Sequence, residues 1–312
     1  MNSFKGKVVE ELHKPVRKNF PRRPVVLKGL NDLYQSDLVD MATYSRLNKG
    51  YKYILTLIDC FTKVAYASPL KNKTANTVTK AMENLLKRYK IKMKHMQTDN
   101  GYEYYNKEFK SLMKRYNINH YSTNSEKKAS IIERFNRTLK TTMYKRFSLQ
   151  GTHVWFKILP TLIKEYNNKF HRTIGMKPVE VCELNEKTVL KRIKKNTTPL
   201  IDKKPPKSFQ IGDEVRLSKH RNIFAKGYLP NWTNEVFEVY RVQPTIPKTY
   251  ILKDKRGHIL QGSFYGHEML KSVTGNVYLV EKILQRKKGK VFVRWLGFNK
   301  SEDSWIPTKD LL

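Results

Sequence analysis

Residues 51–60, Tyr51-Lys52-Tyr53-Ile54-Leu55-Thr56-Leu57-Ile58-Asp59-Cys60, form a β-rich apolar run. Asn48-Lys49-Gly50 before it and Phe61-Thr62-Lys63 after it supply turn residues, so Tyr34–Asp40 and Val64–Pro69 read as its neighbouring strands. Beyond them the period changes. Thr74–Lys90 carries Val78, Met82, Leu85 and Leu86 at helical spacing, and His95–Thr98 is a short strand. Lys107–Tyr116 is a second helix with Phe109, Leu112 and Met113 on one side, and Ile118–Ser122 a further strand. Ala129–Phe147 and Trp155–Phe170 read as the third and fourth helices. Three adjacent strands followed by alternating helices and strands predict an α/β fold with a mixed sheet, residues 31–185.

The flanks differ in character. Residues 1–30 hold eight Lys/Arg against two acids, with Pro15, Pro21 and Pro24 among them. This reads as an extended basic arm. Residues 186–207 hold eight basic residues, two acids and the pair Pro205-Pro206, and read as a linker. Residues 208–273 are all-β in style, with turns at Gly212-Asp213 and Arg256-Gly257, which suggests a small SH3-like β-barrel. Residues 275–312 form a last unit of strands, rich in aromatics.

The formal charge is +35, from 62 Lys+Arg against 27 Asp+Glu. An excess of that size favours a polyanion, because each phosphate neutralised releases condensed counterions. It names nucleic acid as partner but no reaction. Cys60 and Cys182 imply no disulfide framework, and the eight histidines lack zinc-site spacing. No apolar run approaches membrane-spanning length, so no membrane partner is expected.

Three acids stand at strands and a helix start: Asp37 within the first strand in Gln35-Ser36-Asp37, Asp99 directly after the fourth in Gln97-Thr98-Asp99, and Glu133 near the start of the third helix in Ile132-Glu133-Arg134. Each alone reads as a turn or cap residue. In this order, within so basic a chain, they read as a metal site. Hard cations such as Mg²⁺ prefer carboxylate, water and phosphate oxygens, and two such ions can serve both the attacking and the leaving oxygen of an in-line displacement. Helical spacing puts Glu133, Asn136, Arg137 and Lys140 on one face and Ile132, Phe135, Leu139 and Met143 on another. Asp40, three residues from Asp37, points the other way by strand alternation, and neither it nor Asp59 belongs to the site.

These residues carry a resemblance. Gln35-Ser36-Asp37-Leu38, Ile58-Asp59-Cys60-Phe61-Thr62-Lys63, Thr98-Asp99-Asn100-Gly101, the stretch from Ile132 to Lys140, and Tyr166-Asn167 before His171-Arg172 resemble the catalytic core of retroviral and retrotransposon integrases. Within that group the chain is most similar to integrases of Maverick/Polinton-like elements. The resemblance implies a ribonuclease-H-like core, Asp37, Asp99 and Glu133 as catalytic ligands of two Mg²⁺ or Mn²⁺ ions, and DNA strand transfer and end processing. It further implies DNA contacts by Lys127, Lys128, Asn136, Arg137 and Lys140, a homo-oligomer on DNA, and a nuclear location. Two departures stand out. Only 33 residues separate Asp99 from Glu133, fewer than is usual in retroviral enzymes, which shortens the loop around Glu126–Ser130. The usual preceding zinc domain has no counterpart.

Residues 208–273 resemble the SH3-like domain of such integrases, with Lys219, Arg221, Lys226, Arg241 and Lys248 as candidate phosphate contacts. Residues 278–307 resemble a chromodomain that is short at its C-terminus. That resemblance implies a methyl-lysine cage of Tyr278, Trp295 and Phe298 with Glu302 beside it, a methylated histone tail as partner, and Trp305 in the core. The rival reading is a catalytically inactive, transposon-derived protein that binds chromatin and DNA.

Overall fold

Strand β2 (Tyr53–Asp59) is buried along nearly its whole length, because both of its faces are covered. Leu55 and Leu57 face a cluster with Val78, Met82, Leu85 and Leu86 of α2 (Ala75–Arg88) and Phe109, Leu112 and Met113 of α3 (Lys107–Arg115). Ile54 and Ile58 face the opposite cluster, built from Ile132, Phe135, Leu139, Met143 and Phe147 of α4 (Ser130–Gln150) and from α5 (Leu159–Asn167). A strand covered on both sides must be apolar at successive positions, which explains the run at 51–60.

The computed structural model describes residues 4–17, 20–23, 25–122, 129–197, 208–219, 229–275 and 277–311. The chain divides into two units, one spanning Pro24–Thr198 and the other combining Met1–Arg23 with Pro199–Leu312. In the first, β1 (Leu33–Asp40), β2, β3 (Ala65–Leu70), β4 (His95–Thr98) and β5 (Asn119–Ser122) form one sheet in the order β3-β2-β1-β4-β5. The β1–β2 and β2–β3 pairs are antiparallel, whereas β1–β4 and β4–β5 are parallel. The predicted mixed sheet is present.

Two basic segments expected to lack regular structure are helical. In the first unit, α6 (Glu186–Thr197) buries Val189 and Ile193 against Leu27, Leu33, Cys60, Phe61 and Ile174. Two apolar residues one turn apart dock the helix, while its lysines face outward. The rest of the expected linker lies outside the described residues. The fourth helix is also shorter than predicted. Trp155 is buried ahead of it, its backbone N–H donating to the Asn48 side chain at 2.6 Å.

In the second unit, α1 (Phe4–His13) occupies the first part of the expected extended arm, while residues 15–17 and 20–23 carry no regular structure. All three prolines lie beyond His13, so they end the helix rather than prevent it. Val8 and Leu12 pack with Trp232. Between them sits Glu11, whose carboxylate accepts from Arg216 Nε at 2.6 Å, from the Ser272 and Thr274 hydroxyls and from the Val273 N–H. Both side chains of the ion pair are 1% exposed.

Arg216 lies on β6 (Glu214–Leu217), which joins β7 (Phe237–Gln243), β8 (Thr249–Lys253), β9 (Phe264–Tyr265) and β10 (Met269–Lys271) in an antiparallel sheet ordered β10-β6-β7-β8-β9. Phe209, Val215, Val239, Tyr250 and Leu252 form its core. The last strands, β11 (Val280–Lys287), β12 (Lys290–Trp295) and β13 (Ser304–Pro307), make a separate antiparallel sheet. Trp305 departs from its expected core position. It is 37% exposed, stacked obliquely on Phe292 under the Lys287 ammonium. Among the described residues no helix is long and apolar enough to cross a membrane.

Burial alone would raise the Glu11 pKa, but the Arg216 bond and charge, with the other donors, hold it below the ordinary glutamate value. Glu11→Ala should therefore cost about 3–5 kcal/mol in urea unfolding, because it strands a buried guanidinium, whereas Glu11→Leu with Arg216→Met should recover most of the loss. The depressed pKa fixes the sign of the pH effect. Glu11's contribution is full above the ordinary glutamate pKa and disappears as pH falls through the lowered one. An equally stable Glu11→Ala protein would show that α1 is not anchored by this pair.

Candidate active site

Helix α4 begins without a side-chain cap of its own, since Ala129 occupies the N-cap position. Its first N–H groups have no intrahelical partner and must find one elsewhere. Gln35, fully buried on β1, supplies it: Oε1 accepts from the Ile132 N–H at 2.9 Å. The same amide donates through Nε2 to Gln97 Oε1 at 2.9 Å, and Gln97 sits directly opposite on the parallel strand β4. One side chain thus ties together β1, β4 and the first turn of α4.

Strand alternation carries this arrangement to the acids. Tyr34 and Leu38 face the α2–α3 side, and Ser36 also turns there, its hydroxyl 3.1 Å from that of buried Tyr104. Gln35, Asp37 and Val39 face α4. Asp37 lies two residues beyond Gln35, and Asp99 two beyond Gln97, just past the end of β4. Glu133 follows Ile132 directly. The Gln-x-Asp repeat on two parallel strands and the bonded N–H on the helix therefore set all three acids in one neighbourhood.

The electrostatics agree. Burial raises the Asp37 carboxyl above its ordinary value, and the charges of Asp99 and Glu133 push it the same way, against hydrogen bonds from the Leu38 N–H and the Asn136 amide. The side chains are neighbours but not yet ligands of a common point. Among the described residues no three His, Cys, Asp or Glu side chains form a cluster that could hold an ion as they stand. Like charges repel, and local donors hold two of the three acids. Leu38 N–H and Asn136 Nδ2 bind Asp37 at 2.8 and 2.9 Å, and Gly101 N–H binds Asp99 at 3.1 Å. The donor set nonetheless suits a hard divalent cation, which would offset that repulsion. Asn136 Oδ1 is a further oxygen here, buried and without a hydrogen-bond partner among the described residues.

Asn136, expected as a DNA contact, is only 7% exposed, and its Nδ2 donates to Asp37, which orients that acid. Arg137 and Lys140 are exposed on α4, while Lys127 and Lys128 lie outside the described residues. Asp40 and Asp59 have local duties. Asp40 accepts from the Ala42 N–H, and buried Asp59 accepts from the Phe61 N–H and the Thr62 hydroxyl.

In the second unit, Tyr278 meets Trp295 and Phe298 edge-on, with ring centroids 6.1 and 5.1 Å away. Lys219, Arg241 and Lys248 are exposed, and Arg221 and Lys226 lie outside the described residues.

Residues 29–128 match the integrase core domain family. Residues 29–128 are thus similar to an integrase core domain, and the relatives the chain matches are transposon-derived and retroviral proteins. One is a transposon-derived protein of Caenorhabditis elegans, 32% identical over 197 residues that cover 63% of this chain and 65% of that protein. Another is the Pol polyprotein of radiation murine leukemia virus (strain Kaplan), 31% identical over 122 residues, 38% of this chain and 21% of the polyprotein. The chain therefore spans just under two thirds of the first and about a fifth of the second. A chain of the simian T-cell lymphotropic virus intasome, solved in complex with the PP2A regulatory subunit B56 gamma, aligns over 84% of this chain and 88% of its own, with a TM-score of 0.57 and 16% identity. At that identity the likeness is one of fold.

Replacing Gln35 by Leu should remove the partner of a buried N–H and of Gln97. The expected cost is about 1–3 kcal/mol in chemical denaturation, with faster hydrogen exchange at the Ile132 amide. An unchanged Ile132 exchange rate would mean that the helix start is held by something else.

Proposed function

We propose that this chain is a DNA integrase, a polynucleotidyl transferase that joins the ends of mobile-element DNA to chromosomal DNA. The observation that carries this reading is the grouping of Asp37, Asp99 and Glu133 on the α4 face of the sheet, with the charges of Asp99 and Glu133 acting on Asp37, in a chain whose residues 29–128 match an integrase core domain. These three acids would hold two divalent ions, Mg²⁺ or Mn²⁺. When bound, such ions lower the pKa of the attacking oxygen and stabilise the leaving one. The chain's own residues hold and orient. The Gln35 bridge fixes the helix bearing Glu133, and Asn136 turns the Asp37 carboxylate.

The reaction is a transesterification. The 3′-hydroxyl of the element end loses its proton and forms a P–O bond to a target phosphate, and the bond from that phosphorus to the target's 3′ oxygen breaks. Water at the same position would trim the element ends first. Arg137 and Lys140 would neutralise phosphates along α4, aided by Lys127 and Lys128 and by Lys219, Arg241 and Lys248 of an SH3-like unit. The net charge of +35 supports the polyanionic substrate. We further propose that the enzyme works in the nucleus as a homo-oligomer on DNA, and that residues 275–312 act as a chromodomain. There Tyr278, Trp295 and Phe298 would read a methylated histone lysine.

Asp37→Asn and Glu133→Gln should each abolish strand transfer and end cleavage on oligonucleotides carrying candidate element ends, with DNA affinity nearly intact. Substantial metal-dependent activity in either variant would remove that residue from the site. The charge reading makes a separate demand. Arg137→Ala with Lys140→Ala should flatten the log–log salt dependence of DNA binding by about one unit per lost phosphate contact. An unaltered slope would place DNA away from this face of α4.

A further inference from the structure

The turn between β8 and β9 presents two consecutive basic residues, Lys255 and Arg256, to the C-terminal aromatic cluster. The Lys255 ammonium lies 4.5 Å from the Tyr278 ring centroid, within cation–π range. Beside it, Arg256 Nη2 is 2.6 Å from Glu302 Oε1. The aromatic ring and the acid that a lysine-binding cleft would offer to an external tail are therefore both engaged by this one turn. The turn is held in shape. Asp254 Oδ1 accepts from the Arg256 and His258 N–H groups at 2.9 and 2.8 Å, and Gly257 takes the positive φ, +84°, that closes it. Nearby, the Asn234 side chain donates to the Leu296 carbonyl, which ties the loop before β7 to the residues after β12.

We propose that the Tyr278–Trp295–Phe298 cleft is a lysine-binding site whose resident ligand is the chain's own Lys255, so that an external methylated lysine binds only by displacing it. The proposal rests on the lysine-reader part of the function proposed above. Its physical basis is the difference between the two competitors. Lys255 carries a compact, strongly hydrated ammonium, so its hold on an aromatic face is weak. A trimethylated lysine keeps the charge with less hydration, so the ring competes better with water. Withdrawal from water already marks Lys255. Burial lowers its pKa and the charge of Arg216 acts the same way, although Glu214 and Glu235 oppose them. Arg256 must leave Glu302 for the same exchange. The resident would lower the apparent affinity for methylated and unmodified lysines by the same factor, so the unmodified lysine, the weaker binder, would be the first to fall below detectable binding.

The test uses the full chain with isotope-labelled lysine and a short peptide carrying trimethyl-lysine, alongside its unmethylated counterpart. The expected result has three parts. The Lys255 ε-protons should be shifted upfield by the Tyr278 ring, and Tyr278→Leu should abolish the shift. The trimethyl-lysine peptide should return those protons to the free-lysine position. Lys255→Ala and the stem-preserving Lys255→Met should both bind that peptide roughly two- to fivefold more tightly than the native chain, the factor set by one exposed cation–π contact. Unshifted Lys255 protons in the native chain would overturn the self-occupancy, whatever the cleft binds. Shifted protons that stay put at saturating peptide, with no binding by either Lys255 variant, would overturn the competition and with it the lysine-reader reading. DNA strand transfer lies outside both outcomes.

Discussion

The Gln35 side chain stands at the meeting of β1, β4 and α4, out of reach of solvent. Its amide has two hydrogen-bonding ends, and the structure uses each on a different element: Gln97 on the parallel strand and the Ile132 N–H on the helix. A buried amide left unpaired is costly, so the helix start cannot slide along the sheet without breaking these bonds. A slip of one residue in β1 would also turn Asp37 to the other face. The apolar clusters on the two faces of the sheet stabilise the unit, but apolar burial is non-directional. The polar bridge chooses where Glu133 stands relative to Asp37 and Asp99.

The other unit uses the same device. Its helix α1 touches apolar partners through Val8 and Leu12, and the buried Glu11 carboxylate fixes its rotation by meeting Arg216 and the chain at 272–274. Such a pair contributes little net stability over well-packed apolar residues, and its removal from one side only is costly. That asymmetry makes it a strong determinant of where α1 lies. A reader module built on this unit would inherit the same fixed frame, with the Lys255–Arg256 turn set against its aromatics.

The sheet was legible because its signals are local. The run at 51–60, the turns flanking it and the helical stripes of α2, α3 and α4 need no knowledge of distant partners. The acids stood out as candidates through their order along the chain. What escaped were features decided by residues far apart. Glu11 looks like a solvated charge until Arg216, some 200 positions later, is beside it. In α6 the apolar pair Val189 and Ile193 is outnumbered by lysines, so the helix read as a linker. Asn136 shares a helical face with Arg137 and Lys140, and only the proximity of Asp37 shows that its Nδ2 donates to that acid. Gln35 and Gln97 did leave a local trace, the Gln-x-Asp pattern repeated at residues 35–37 and 97–99. It acquires meaning once β1 and β4 are known to be parallel and in register.

The account stands or falls on whether the three acids hold divalent ions in common. Crystals of the protein soaked in Mn²⁺, with diffraction recorded where manganese scatters anomalously, address this directly. Anomalous density is expected at Asp37, Asp99 and Glu133, with Gln35 still bonded to Ile132. Manganese found only at other carboxylates, with Asp37, Asp99 and Glu133 free of it at saturating concentration, would contradict it.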